Sequence, residues 1–151
     1  MAAEAEFAEA NSDYVDVGAV SEFARGPRRL AVGGRKVAVF QHGDRFFAID
    51  ANCYHAAGRL EEHSEDIEEV NGEPCVRCPM HKYVISLSSG HSFYEAVEVL
   101  RKPGGPPSFR SLGFKSKGLK QRCHYAKVEG NRLLIRLAGD GEVESDRYAY
   151  V

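Results

Sequence analysis

Cys53-Tyr54-His55 and Cys78-Pro79-Met80-His81, with residues 56–77 between them, are the stretch from which the rest of the chain is read. Two thiols and two imidazoles in the order C-x-H then C-x-x-H form a mixed sulfur and nitrogen ligand set. A Cys2His2 set suits tetrahedral Zn2+, and on residue types alone that reading stays open. Zinc fingers, however, present both cysteines first and both histidines second, with the histidines three to five residues apart on one helix face. Here each motif carries one Cys and one His, so two loops must each deliver a mixed pair. That arrangement suits a centre with two unlike metals, one taking both sulfurs and the other both nitrogens.

The flanking sequence reads as strands. Residues 36–40 and 45–49 are β-branched and aromatic runs around Gln41-His42-Gly43-Asp44, the pattern of a hairpin whose second strand leads directly into Cys53, with His42 a solvated turn residue. Further upstream, Tyr14, Val15 and Val17 suggest a first strand, Val20–Phe23 a short turn that packs Phe23 inward, and residues 25–29 a polar loop around Gly26 and Pro27. Asn71-Gly72 signals a turn, after which residues 74–78 form a short strand into the second motif. Beyond Gly90, residues 92–94 and 96–100 have strand composition. Pro103-Gly104-Gly105-Pro106-Pro107 must be a loop, and the segment 91–120 reads as a loop excursion from the core. Residues 123–128 and 131–137 form a closing hairpin across Glu129-Gly130, with Leu133 and Ile135 on one face and Leu134 on the other. Residues 138–151 turn at Gly139-Asp140-Gly141 and end in Tyr148-Ala149-Tyr150, too apolar for a free tail and suited to covering an open sheet edge. There is no internal repeat and no long helical period, so the strand-rich pattern predicts an all-β fold.

With 151 residues the chain is one domain by size, able to bury about two thirds of its unfolded surface. A net charge of -2 argues against a general nucleic-acid binder. No apolar run approaches the roughly 18 residues needed to span a bilayer. Residues 1–12 read as an acidic tail; residues 1–11 hold no Lys or Arg, unlike a secretory or transit leader, and point to the cytoplasm or to a mature organellar form. Four cysteines fit a reducing compartment better than a disulfide framework. Between the motifs lies an acidic run, Glu61, Glu62, Glu65, Asp66, Glu68, Glu69 and Glu73, with His63 exposed in its middle. It reads as a solvated face or as a docking surface that steers a basic partner. Arg110, Lys115, Lys117, Lys120 and Arg122 form a basic stretch, read as a solvated loop or a partner or phosphate contact.

The two motifs resemble those of the Rieske proteins, and specifically their small soluble members, the Rieske-type ferredoxins. The residues that carry the likeness are Cys53-Tyr54-His55-Ala56-Ala57-Gly58-Arg59-Leu60 and Cys78-Pro79-Met80-His81-Lys82-Tyr83-Val84-Ile85-Ser86-Leu87-Ser88-Ser89-Gly90. The first is similar to the family's C-x-H box ending in a leucine, the second to its C-P-x-H box with a following aromatic and a closing glycine. The likeness spans about residues 13–137 and thins between 91 and 120. It implies an antiparallel β-sandwich or incomplete barrel carrying a small inserted cluster-binding subdomain, about residues 51–89, within a single domain of residues 13–151.

The same resemblance implies one 2Fe-2S cluster, with Cys53 and Cys78 on one iron and His55 and His81 on the other. It implies a soluble, monomeric electron carrier rather than an enzyme, placed between a flavin-dependent NAD(P)H reductase and an oxygenase or other acceptor. Rieske oxygenases add a large catalytic domain with its own mononuclear iron, for which this chain has no room. A redox-sensing interaction module is the alternative, and a zinc-stabilised binding domain the third reading. Respiratory members carry an extra Cys in each loop; Met80 takes that position here, so no loop disulfide is expected. High-potential members place Ser and Tyr two and four residues after the second His, where this chain has Tyr83 and Ile85, which implies a low potential. Ala57 stands where the family commonly has Gly, with Gly58 following, and Arg59 stands where Pro is common. Cys75 reads as a small buried strand residue, Cys123 and His124 as structural, and His91 as exposed.

Overall fold

A computed structural model describes residues 13–62 and 66–151. The acidic tail 1–12 and the central part of the acidic run, His63, Ser64 and Glu65, lie outside the described residues. The protein is built of antiparallel strands and short 3-10 turns in two sheets. One sheet comprises β1 (Val15–Ala19), β2 (Arg28–Val32), β3 (Arg35–His42), β4 (Arg45–Asp50), β10 (Cys123–Glu129) and β11 (Arg132–Arg136), in the order β1-β11-β10-β4-β3-β2. The other comprises β5 (Glu68–Val70), β6 (Glu73–Arg77), β7 (Val84–Ser86), β8 (His91–Leu100) and β9 (Ser108–Leu119), in that order.

Strand alternation sends β3 and β4 into two cores at once. Val37, Val39 and Ala48 join Phe23, Val32, Leu133 and Ile135 in a cluster that draws on both ends of the six-stranded sheet, which therefore curls around it as an incomplete barrel. The opposite face, with Ala38, Phe40, Phe47 and Ile49, packs against Leu60, Val76, Ile85 and Leu87 of the ligand-bearing region, and the sulfurs of Cys53 and Cys78 belong to this second cluster. Burial on both sides explains why residues 36–40 and 46–49 are apolar almost without interruption. The 36–49 hairpin, the inward Phe23 and the buried Leu133 and Ile135 beside a half-buried Leu134 match the sequence expectation.

Three segments differ from it. Arg28 and Arg29, expected in a polar loop, begin β2, where Arg29 reaches Asn52 at 2.8 Å and Glu61 at 3.2 Å. Residues 91–119 are not a loop excursion but one long hairpin, paired from His91 with Leu119 to Leu100 with Ser108 and closed by the proline-glycine loop. β9 has a partner on one side only, so its side chains are mostly exposed and show no apolar period. The C-terminal segment does not cover a sheet edge. It lies over the end of the curled sheet, where Lys36 N donates to Ala149 O at 2.7 Å and Ser145 N to Lys120 O at 3.1 Å.

That segment is held by buried charge. Asp50, fully buried, accepts from Arg35 Nε at 2.7 Å, Arg35 Nη2 at 2.6 Å, His124 Nε2 at 2.8 Å and Ser145 Oγ at 2.5 Å. Asp146 accepts from Arg35 and doubly from Arg122. His124 Nδ1 accepts Ala138 N–H at 3.0 Å, so the proton facing Asp50 sits on Nε2. Arg122, expected among the solvated basic residues, is thus buried in an ion-pair network, and Cys123 and His124 are structural.

Candidate metal centre

The two ligand loops are built alike. Cys53 N donates to Gly58 O at 2.8 Å and Cys53 O accepts Ala57 N at 2.9 Å; Cys78 N donates to Tyr83 O at 2.8 Å and Cys78 O accepts Lys82 N at 2.8 Å. Each cysteine therefore bonds the residues four and five positions on. In both loops the fourth residue is left-handed, Ala57 at φ 58 and Lys82 at φ 61. Neither is glycine, so each carries a backbone penalty of about 1–2 kcal/mol. The reversal brings the amide hydrogens of His55 and Ala56 towards the Cys53 sulfur, and those of Met80 and His81 towards the Cys78 sulfur. Amide donors of this kind favour the thiolate over the thiol.

The loops close on each other with their sulfurs inward and their imidazoles outward. Cys53 and Cys78 are buried, whereas His55 and His81 are exposed. The two thiols hydrogen-bond to each other. The proton held by Cys53 favours the thiolate of Cys78, lowering its pKa, and raises that of Cys53. The imidazoles meet Nδ1 to Nδ1 at 3.3 Å, with ring planes 85° apart. Two nitrogens on one tetrahedral metal, each at about 2.0–2.1 Å, would be about 3.3–3.4 Å apart. The nitrogen pair is already at the spacing that a single metal requires, and the donor set fits a centre of two metals with unlike ligands.

The support around these loops comes from residues remote in sequence. Gln121, fully buried between β9 and β10, donates from Nε2 to Asp50 O and Asn52 O, both at 2.8 Å, and accepts from Tyr54 N at 2.9 Å. Tyr54 donates to Ser92 Oγ at 2.8 Å, tying the first loop to β8. Tyr83 lays its ring against His55 at 4.2 Å between centroids. Ile85 is buried in the apolar core and offers no hydroxyl. Sequence reasoning missed Gln121, Ser92 and the stacking of Tyr83. Only the amide of Gln121 in an otherwise charged connection hinted at a buried role. Cys75 is buried in β6, as expected. All four cysteines are free, and Ala57, standing where the family commonly has Gly, takes up the turn at the cost of a positive φ.

Residues 15–140 match the family model of the soluble Rieske-type ferredoxins. The chain belongs to the soluble Rieske-type ferredoxins. It is 35% identical over 137 residues to a human Rieske domain-containing protein, covering 89% of this chain and 82% of that one. It is 35% identical over 81 residues to the anthranilate 1,2-dioxygenase ferredoxin subunit of Burkholderia cepacia, covering 52% and 68%. The solved ferredoxin of carbazole 1,9a-dioxygenase from Nocardioides aromaticivorans superposes with a TM-score of 0.55 at 22% identity, over 83% of this chain and 98% of that one. The likeness in fold agrees with the all-β architecture and its antiparallel sheets. As a member of this family the protein carries a Rieske-type 2Fe-2S cluster, which decides between the iron-sulfur and zinc readings of the motifs. Among the described residues no helix is long and apolar enough to cross a membrane.

Proposed function

We propose that Cys53 and Cys78 ligate one iron, that His55 and His81 ligate the other through Nδ1, and that the protein passes single electrons from a flavin-dependent NAD(P)H reductase to an oxygenase or another acceptor. The observation that carries this is the outward pair of imidazoles 3.3 Å apart at the surface, above a buried sulfur pair. Such a cluster, when bound, takes up and releases one electron. The chain supplies the rest. Its two loops hold the sulfurs away from water, and its exposed imidazole edges give a docked acceptor the shortest way in. The dioxygenase ferredoxin subunit among its relatives supports an oxygenase as acceptor.

Two neutral imidazoles in place of thiolates raise the potential above that of an all-cysteine ferredoxin. Ile85 has no hydroxyl to donate to the cluster, and the Tyr83 ring is packed on His55, so the potential falls at the low end of the roughly −150 to +300 mV Rieske range. A redox titration checks this, and a midpoint in the upper half of that range would contradict it. The carrier role is tested by anaerobic stopped-flow mixing with NADH and a flavoprotein reductase, then with an acceptor. Rapid one-electron reduction and reoxidation are expected. Slow exchange coupled to altered partner binding would instead make the domain a redox sensor.

A further inference from the structure

The β8–β9 hairpin outruns the sheet that carries it. β7 pairs with β8 only at Ser92 and Phe93, so from Tyr94 onward β8 has β9 as its one strand partner, and β9 has no strand on its outer side. The far half of this ribbon is apolar on both faces. Val97, Val99, Leu100, Phe109 and Leu112 are all exposed, Phe109 at 66%. Val99 lies opposite Phe109, which puts Val97, Val99 and Phe109 on one face, and alternation puts Leu100 and Leu112 on the other. Two exposed cations, Arg101 and Lys102, stand at the tip beside Pro103-Gly104-Gly105-Pro106-Pro107. Their side chains have no ion-pair partner among the described residues. The acid nearest the tip in sequence, Glu98, is ion-paired with Arg110, and no other acid follows before Glu129. The tip is therefore locally cationic in a chain whose net charge is -2.

We propose that the hairpin tip is a contact for an anionic lipid bilayer, made reversibly and without spanning it. Two features select this occupant. Apolar side chains on both faces of a thin ribbon are covered together when its end enters the headgroup layer by about 5–10 Å, whereas a protein surface laid on one face leaves the other in water. Arg101 and Lys102 then lie at the level of the lipid phosphates, where the charge is opposite. A second copy of the chain would instead bring the same cations against each other. The ligand loops stay clear of the surface. His81 lines a cleft with Phe93 and Tyr94 at the base of the hairpin, and the strand from Phe93 to Leu100 spans about 23 Å at about 3.3 Å per residue.

The test is flotation of the cluster-loaded protein with vesicles, either phosphatidylcholine alone or phosphatidylcholine and phosphatidylserine in equal parts. It reads binding and not electron transfer, so its outcome is independent of the carrier role. Flotation with the anionic vesicles at low ionic strength, released as salt rises, and little or none with phosphatidylcholine alone are expected. Lys102→Glu is expected to weaken binding to the anionic vesicles about tenfold, and Phe109→Ser about fivefold. Arg25→Glu, the same charge change in the exposed loop before β2, is expected to leave it unchanged. All three side chains are exposed, and the visible absorbance of the cluster checks that each variant is loaded. No flotation with anionic vesicles, equal flotation with both kinds, or equal effects at positions 25 and 102 would overturn the proposal. So would a dimer in sedimentation that Phe109→Ser dissociates, which would assign the tip to a second copy.

Discussion

A methyl group added at Gly58 would stand 2.6 Å from the Cys78 sulfur and 3.1 Å from Met80 Cγ. The two loops approach each other only because position 58 has no side chain. Gly58→Ala is expected to fold and to lose most of its iron, read as iron per chain against a preserved far-ultraviolet spectrum. Ala57, next to it, sits at φ 58. Ala57→Gly removes a left-handed penalty and loses some chain stiffness, for a net gain of about 0.5 kcal/mol, measurable as a raised urea midpoint. At this scale the ligand pairs were legible, because Cys and His at short spacing are a local signal. The left-handed residues were not, since Ala57 and Lys82 are types that seldom adopt that conformation. The traces were their shared offset of four from a cysteine and, for Ala57, the glycine common there in the family.

Elements explain what the loops stand on. The hairpin of β3 and β4 was legible because β-branched and aromatic runs flank a glycine turn. The β8–β9 hairpin was only half legible: glycines and lysines interrupt β9, and an edge strand with little burial needs no apolar period. The connection from β9 to β10 reads as an ordinary basic link, yet its Gln121 satisfies three backbone groups around the first ligand loop. Gln121→Ala would leave buried polar groups unpaired, at about 1–3 kcal/mol each. The expected outcome is a loss of about 3 kcal/mol or more in urea unfolding and faster loss of the cluster's visible absorbance. Gln121→Glu should do no better, because a carboxylate cannot donate to Asp50 O and Asn52 O.

Across the whole molecule, buried charge joins the C-terminal segment to the curled sheet. Burial works against the Asp50 carboxylate, but hydrogen bonds from His124, Arg35 and Ser145 outweigh it and hold its pKa below the ordinary aspartate value. The Arg122 guanidinium does the same for Asp146. Both pKa values are depressed on folding. Their stabilisation is therefore complete above the unfolded aspartate pKa of about 3.9 and is lost as pH falls below it towards the depressed values. Unfolding free energy measured from pH 6 downward should decline steeply below about pH 4. Asp146→Asn should flatten that decline and lower the plateau. An equally steep decline in the variant would locate the acid sensitivity elsewhere. None of this was visible in sequence, because the side-chain partners of Asp50, Arg35, His124 and Ser145, come from three separate segments of the chain.

The proposed centre is one pair of irons held by two thiolates and two imidazoles. Its most direct test is low-temperature electron paramagnetic resonance of the dithionite-reduced protein, with pulsed detection of nitrogen couplings and with iron and acid-labile sulfide measured on the same sample. A Rieske-type signal coupled to two histidine nitrogens, at two irons and two sulfides per chain, is the predicted result. Zinc in place of iron and no signal from anaerobically purified protein, or a cluster signal unchanged in His55→Ala and His81→Ala, would contradict it.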